Sequence, residues 1–303
     1  MKPERLIGAL RRELHDGGLT VSLLVRNLHT GEELGIDPDL ELPAASLIKV
    51  PLALATLDRI RRGELDGAYT VDVIPERTTD LGPTGLSRFR HPARIALDDL
   101  LYLSMAVSDN VAADALFALT PPPDVAEMLG GLGLRGIFVR HTMNTLADTP
   151  VKRFTAADVH LAHALAIESG TGGRGHRVPQ LDVTRANSGT ARAFVELLQL
   201  LWTPSAVHPE VAARLRTLMG ENLMRQRLAP DFSSDASAWS SKTGTFMNLR
   251  HEIGVVEHAD GQCFAVAVLT ESRVPASTQP GADALMAQVA RRLRDHLRQL
   301  QAY

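Results

Sequence analysis

Cysteine occurs once in 303 residues, at Cys263. That excludes an intrachain disulfide and any thiolate-rich zinc or iron–sulfur centre. Aromatic side chains make up only 4% of the chain, and no basic tail offsets its formal net charge of −3. Lacking stacking platforms and a cationic surface, the sequence argues against nucleic acid as a partner. No apolar run approaches the roughly 20 residues that span a bilayer. The start, MKPERLIGALRRELHDGG, has no apolar core ending in a small-residue cleavage site. As given, the chain is expected to be cytoplasmic with no membrane partner; an extracytoplasmic role would need a leader that this stretch does not supply. His160 and His163 could share a helix face, but there is no third ligand and no His-Glu-x-x-His pattern, so neither a metal nor another cofactor is expected. The glycine-rich stretch 169–177 lacks the preceding strand and the Gly-Lys-Ser/Thr end of a phosphate loop.

Lysine is the scarcest charge. Of 32 Lys plus Arg only four are lysine, Lys2, Lys49, Lys152 and Lys242, so arginine is used seven times as often. Such a chain keeps lysine where a guanidinium would fail, most plainly where an amine must take or give up a proton. Lys2 is terminal and Lys152 lies in a polar stretch, which leaves Lys49 and Lys242.

What the chain does have is 45% hydrophobic residues in two periodicities. Residues 3–15 place Leu6, Ile7, Leu10 and Leu14 at helical spacing. LTVSLLVRN (19–27) is rich in β-formers and, with HTGEELGI after it, predicts two antiparallel strands. Strand-like sequence resumes only near 238, with AWSSKTGTF, LRHEIGVVEH and QCFAVAVLTE, the last two joined by the turn signal Asp260-Gly261. Residues 281–300 predict a long amphipathic helix. Between roughly 44 and 225 the pattern is helical. The expectation is an α/β lobe from residues 1–43 and 226–303, with an all-helical lobe, 44–225, inserted into it and a ligand cleft in the crevice between them. Cys263, alternating with apolar residues, reads as a buried core thiol.

Three constellations carry chemistry. Ser46-Leu47-Ile48-Lys49 opens a helical segment, and three residues is nearly one turn, so hydroxyl and amine share a face. A serine hydroxyl becomes a nucleophile when a neighbouring base takes its proton. An amine can be that base only if burial or nearby cations pull its pKa down from about 10.4. The helix start adds the positive end of the macrodipole, which favours an oxyanion. The plain alternative is a capping serine with a solvated lysine. Ser108-Asp109-Asn110 precedes the helical NVAADALFAL and by itself reads as an N-cap. Lys242-Thr243-Gly244 lies in a predicted strand, where a glycine lets a ligand or another backbone approach closely. By itself it reads as an edge-strand lysine and a bulge glycine.

In this order the three form the signature of class A β-lactamases and penicillin-binding proteins, and the chain resembles that superfamily from about residue 3 to 300. MAVSDNVAADAL and TARAFVELLQLL resemble family helices as well. The resemblance implies a β-lactamase-like fold, an antiparallel five-stranded sheet flanked by terminal helices plus the helical lobe. It implies Ser46 as the acylated nucleophile, Lys49 as its proton acceptor or relay, and Ser108 as the route of a proton to the leaving group. Asn110 would hydrogen-bond a substrate's acylamide, and Lys242 would keep the site electropositive and hold Ser108. The N–H groups of Ser46 and Thr245 would form the oxyanion hole, such donors being worth about 3 kcal/mol of barrier each. Thr243, beside Gly244, and Arg250 would grip a substrate carboxylate. The loop before Arg250 is shorter than in the class A pattern, so a surface arginine is the alternative. The implied partner is a small acyl substrate: a β-lactam, an ester or an amide.

One family element is missing. Class A enzymes carry Glu-x-x-x-Asn on an omega loop, whose glutamate activates the deacylating water. Here that stretch reads VRHTMNTLADTPVKRF, with Asn144 and Asp148 as partial replacements inside an enlarged omega-like region, 140–188. Glu168 and Asp182, further along, are expected to face solvent. The first expectation is therefore a serine hydrolase acylated at Ser46 with weak β-lactam turnover. The alternatives are an efficient class A type β-lactamase with a substitute base, and a non-catalytic or biosynthetic-accessory binding protein.

Overall fold

The run CFAVAVLTES, rich in apolar side chains, fits a strand covered on both faces. In the computed structural model, which describes residues 2–74, 82, 84–149, 158, 161–168, 175–274 and 279–300, all ten are buried. The chain begins with α1 (Pro3–Asp16), β1 (Leu19–Asn27), β2 (Glu33–Ile36) and β3 (Leu42–Pro43), then a 3₁₀ turn (Ala45–Ile48) running into α2 (Lys49–Arg61). The inserted part continues with β4 (Thr70–Val73), β5 (Ala93–Ala96), α3 (Leu97–Ala106), α4 (Asn110–Leu119), α5 (Pro122–Gly131), β6 (Ile137–Phe138), α6 (Met143–Ala147) and α7 (Leu161–Glu168). It closes with β7 (Ser188–Gly189), α8 (Ala191–Trp202), α9 (Pro209–Gly220) and α10 (Ala229–Phe232). The last elements are β8 (Ser237–Phe246), β9 (Leu249–His258), β10 (Cys263–Ser272) and α11 (Pro280–Leu300).

The main sheet has five strands in the order β2-β1-β10-β9-β8, with antiparallel neighbours throughout. Period-two alternation assigns its faces. Leu23, Val25, Val256, Phe264, Val266 and Val268 pack on α1, α10 and α11 through Leu10, Leu14, Phe232, Val289 and Leu293. Leu24, Ile253, Val255, Ala265, Ala267 and Leu269 face the helical part and join one core with Leu54, Phe117, Phe194 and Leu215. The second face is what couples the two lobes. α1 ends at Gly17, and Gly18, at φ +76°, turns the chain into β1, a backbone conformation that glycine adopts without strain.

The inserted lobe is not all-helical. It contains the β4–β5 hairpin and a small sheet, β3-β7-β6, in which Leu42 pairs with Gly189 and Ile137 pairs with the same glycine from the other side. Strands of two to four residues are too short to show a period, so nothing in the sequence marks them. The small sheet matters because it anchors the chain just before the 3₁₀ turn that carries Ser46. Residue 160 and residues 169–174 lie outside the described residues, as do the side chains of His163 and Glu168.

Candidate active site

Ser46 and Lys49 lie on one ridge because a 3₁₀ turn eclipses residues i and i+3. Lys49 opens α2, and Pro51 falls in the first helical turn, where a missing N–H leaves no gap in the ladder. Ala45, immediately before the serine, is held at φ +48°, and Ser108 at φ +57°. Left-handed backbone in residues other than glycine concentrates where a side chain must be aimed.

Lys49 is wholly buried. Its Nζ donates to the Ser108 carbonyl at 2.6 Å, to Ser108 Oγ at 3.2 Å and to Asn110 Oδ1 at 2.6 Å. Lys242, equally buried on β8, donates to Ser108 Oγ at 3.0 Å and to the Thr243 carbonyl at 2.9 Å. Two lysines thus converge on one hydroxyl. Burial, and then the neighbouring Lys242, hold the Lys49 amine well below its ordinary value against the opposing pull of Asp109 and Asp114. Burial and Arg227 bring Lys242 down to about 7.

Asp109 is occupied elsewhere. One oxygen caps α4 by accepting from Val111 and Ala112, and the other takes the Leu86 N–H at 2.7 Å. Gly244 has the close approach expected of it. A Cβ there would meet the Ala44 carbonyl at 3.1 Å and Leu47 Cγ at 3.2 Å, so glycine lets β8 lie close against the Ser46 turn.

Ser46, Ser108, Asn110, Thr243 and Thr245 line one cleft of about 400 Å³, closed on its apolar side by Met224, Phe246 and Met247. Among the described residues no aspartate or glutamate lines it. A larger groove, about 480 Å³, runs between α2 and α5, but its Arg59 and Arg62 already pair with Asp58, Glu64 and Asp124, and it holds no nucleophile.

Arg250 is not among the residues lining the cleft. It is buried and donates to the Met247 and Leu249 carbonyls at 2.6 and 2.8 Å, so it is neither a surface arginine nor a cleft wall. Behind the cleft residue Thr245 lies another buried arginine, Arg227, which nothing in the local sequence sets apart from Arg225 two residues earlier. Arg227 is buried and donates to the Gly244 carbonyl at 3.2 Å, the His251 carbonyl at 2.9 Å and Thr245 Oγ1 at 2.7 Å, and it pairs with Asp283 at 3.0 Å. Only tertiary contact across 56 residues distinguishes it.

Asn144 and Asp148 are exposed. Asp182 does not face solvent as expected. It is buried, accepting from the Gly175 N–H on one oxygen and from Thr184 on the other, because it organises its own turn. Cys263 is a buried thiol pushed up to about 12 by burial. Among the described residues no cluster of three metal-ligating side chains occurs.

A model of the beta-lactamase enzyme family matches residues 5–297. The beta-lactamase regulatory protein BlaB of Streptomyces cacaoi is 67% identical over 310 residues, covering 99% of both chains. Among solved structures, a PBP-A variant in an acyl-enzyme complex with penicillin G superimposes with a TM-score of 0.74 at 18% identity, covering 98% of this chain and 97% of that one. A beta-lactamase from Chitinophaga pinensis gives 0.75 at 20% identity, covering 98% and 100%. Likeness at such identities shows the fold.

Proposed function

The chain belongs to the beta-lactamase enzyme family, and from that premise we propose that it is a serine hydrolase that takes an acyl group onto Ser46 and releases it slowly. The observation that carries this reading is the meeting of two buried lysines on Ser108 Oγ, beside Ser46, in a cleft with no carboxylate among its described lining residues.

Ser46 Oγ attacks the carbonyl carbon of a β-lactam, ester or amide, and its proton passes to Lys49, directly or through one water. The oxyanion is met by the N–H groups of Ser46 and Thr245. Ser108 Oγ accepts from both lysines, which fills its two lone pairs and leaves its own proton to be given to the leaving nitrogen or oxygen as the C–N or C–O bond breaks. Asn110 and Thr243 orient the substrate's amide and carboxylate. The second half-reaction, in which water cleaves the Ser46 acyl ester and returns the proton to Oγ, needs a base for water. Asn144 and Asp148 are exposed, and Asp182 is tied into its own turn, so an efficient β-lactamase with a substitute base draws no support from the described residues. A long-lived acyl group suits a signal better than a detoxifying enzyme, and the Streptomyces cacaoi relative is named as a regulatory protein.

A second reading, a regulatory protein that binds without reacting, is favoured by a different observation. All three Lys49 hydrogen bonds go to Ser108 and Asn110, and among the described residues Ser46 Oγ has no hydrogen-bond partner.

Intact-mass measurement separates the two. After exposure to penicillin the protein is expected to carry one adduct that survives for minutes or longer, and to hydrolyse a p-nitrophenyl ester; Ser46→Ala is expected to do neither. No adduct and no ester hydrolysis would establish the second reading. Rapid turnover of a chromogenic cephalosporin would overturn both.

A further inference from the structure

The carboxylate nearest this chemistry that the sequence did not single out is Asp114. It stands four residues after Asn110 on α4, so the two side chains share a helix face one turn apart. Asn110 reaches Lys49 Nζ at 2.6 Å. Asp114, half-buried behind it, accepts the Met143 N–H on Oδ1 at 2.6 Å and the Asn144 N–H on Oδ2 at 2.8 Å. Those two N–H groups open α6, the segment that stands where the family's omega-loop glutamate is missing. We propose that Asp114 is a positioning carboxylate that couples the docking of α6 to the protonation of Lys49. The inference rests on the reading of Lys49 as the site's base.

The charges bearing on this pair are few. Lys49 is opposed by Lys242 on β8 and favoured by Asp109 and Asp114 on α4. Asp109 is fully hydrogen-bonded to backbone N–H groups of α4 and of Leu86. Lys49, from α2, is the charge that acts through space on Asp114, while α6 offers it only backbone N–H groups. Burial raises the Asp114 carboxyl to about 6. Its charge state and that of the Lys49 amine are therefore linked. Ionised, it strengthens both hydrogen bonds to α6 and favours the proton on Lys49. Protonated, it loosens the segment and releases the amine as a base.

The low lysine count makes the test direct. With only four lysines, spectra of protein labelled with ¹³Cε-lysine resolve each titration separately. In the unaltered protein the Lys49 resonance is expected to show a second inflection near pH 6 as Asp114 ionises. In Asp114→Asn, which keeps an acceptor for α6 and removes the charge, the Lys49 midpoint is expected to fall by about one pH unit. Lys242 should stay in place. The acid limb of the penicillin acylation rate should move down by the same amount. A single Lys49 inflection together with an unmoved midpoint in the variant would overturn the inference, even if the variant lost thermal stability. If the variant does not fold, the second inflection in the unaltered protein decides. If no acylation occurs in either protein, the proposed function fails, while the lysine titration still tests the coupling.

Discussion

A fully buried amine with no carboxylate in direct contact gives up its proton more readily than a solvated one. Lys49 fits that description, since its described partners are a carbonyl, a hydroxyl and an amide oxygen. Arginine in its place would keep the charge and fail as a base, because guanidinium is not deprotonated in proteins. Lys49→Arg is accordingly expected to slow Ser46 acylation by roughly 100-fold or more, measured by mass spectrometry, while Lys242→Arg, which retains a donor to Ser108, costs less. Equal losses would undo the division of roles between the two amines. The scarcity of lysine makes both positions legible in the amino-acid sequence alone. Asp114 and Arg227 are not legible there, for a physical reason. One is an acid on an otherwise apolar helix and the other an arginine in a polar loop, and what makes each notable is a partner brought close only by folding.

At the scale of elements, β9 carries a histidine that ties the sheet to the turn of the nucleophile. His251 donates from Nε2 to the Pro43 carbonyl at 2.9 Å and accepts the Thr270 N–H on Nδ1 at 3.0 Å, which fixes it as the neutral tautomer. Burial holds its pKa down to about 4, against an unfolded value near 6.5. Because the folded value is depressed, the stabilisation is complete above the unfolded pKa and is lost as pH falls through the folded one. The linkage amounts to about 3 kcal/mol over that window. Asp114, raised to about 6, acts in the opposite sense, since its protonation favours the fold as pH drops from 6 toward 4. The measurement must therefore be comparative. Urea unfolding followed from pH 7.5 to 4.5 should show a steeper loss in the unaltered protein than in His251→Asn, which starts less stable and changes less. Parallel slopes would mean that the imidazole takes up its proton in the fold as readily as in the unfolded chain, so that its pKa is not depressed. Elements with a clear period were legible: α1, β1, the β9–β10 hairpin at Asp260-Gly261 and α11. β3, β6 and β7, two residues each, were not, although their small sheet anchors Pro43.

For the whole molecule, the sequence suggested two lobes, and the packing argues that they share one fate. The sheet face formed by Ile253, Val255, Ala265, Ala267 and Leu269 belongs to the same apolar core as α2, α4, α8 and α9. Unfolding the helical lobe alone would expose that face, at about 25 cal/mol for each Å² of apolar surface. The cost rises with every strand uncovered, so an intermediate with a bare sheet is poorly populated. The two tryptophans offer a test, because one stands in each part: Trp202 at the end of α8, and Trp239 on β8, where its indole donates to Glu252 at 2.9 Å and its ring lies 5.0 Å from Phe232. Urea unfolding of Trp202→Phe and Trp239→Phe, each followed by its remaining indole and by circular dichroism, should give one midpoint for both probes within each protein. Leu269→Ala, at the shared face, should lower the midpoints of both reporters together, by about 3 kcal/mol of stability. If the Trp202 signal instead changed at a lower denaturant concentration than that of Trp239, residues 44–225 would be an independently melting unit. The cleft between Ser46 and β8 would then open before the sheet is lost, and the rigid convergence of two lysines on Ser108 would no longer hold in the native ensemble.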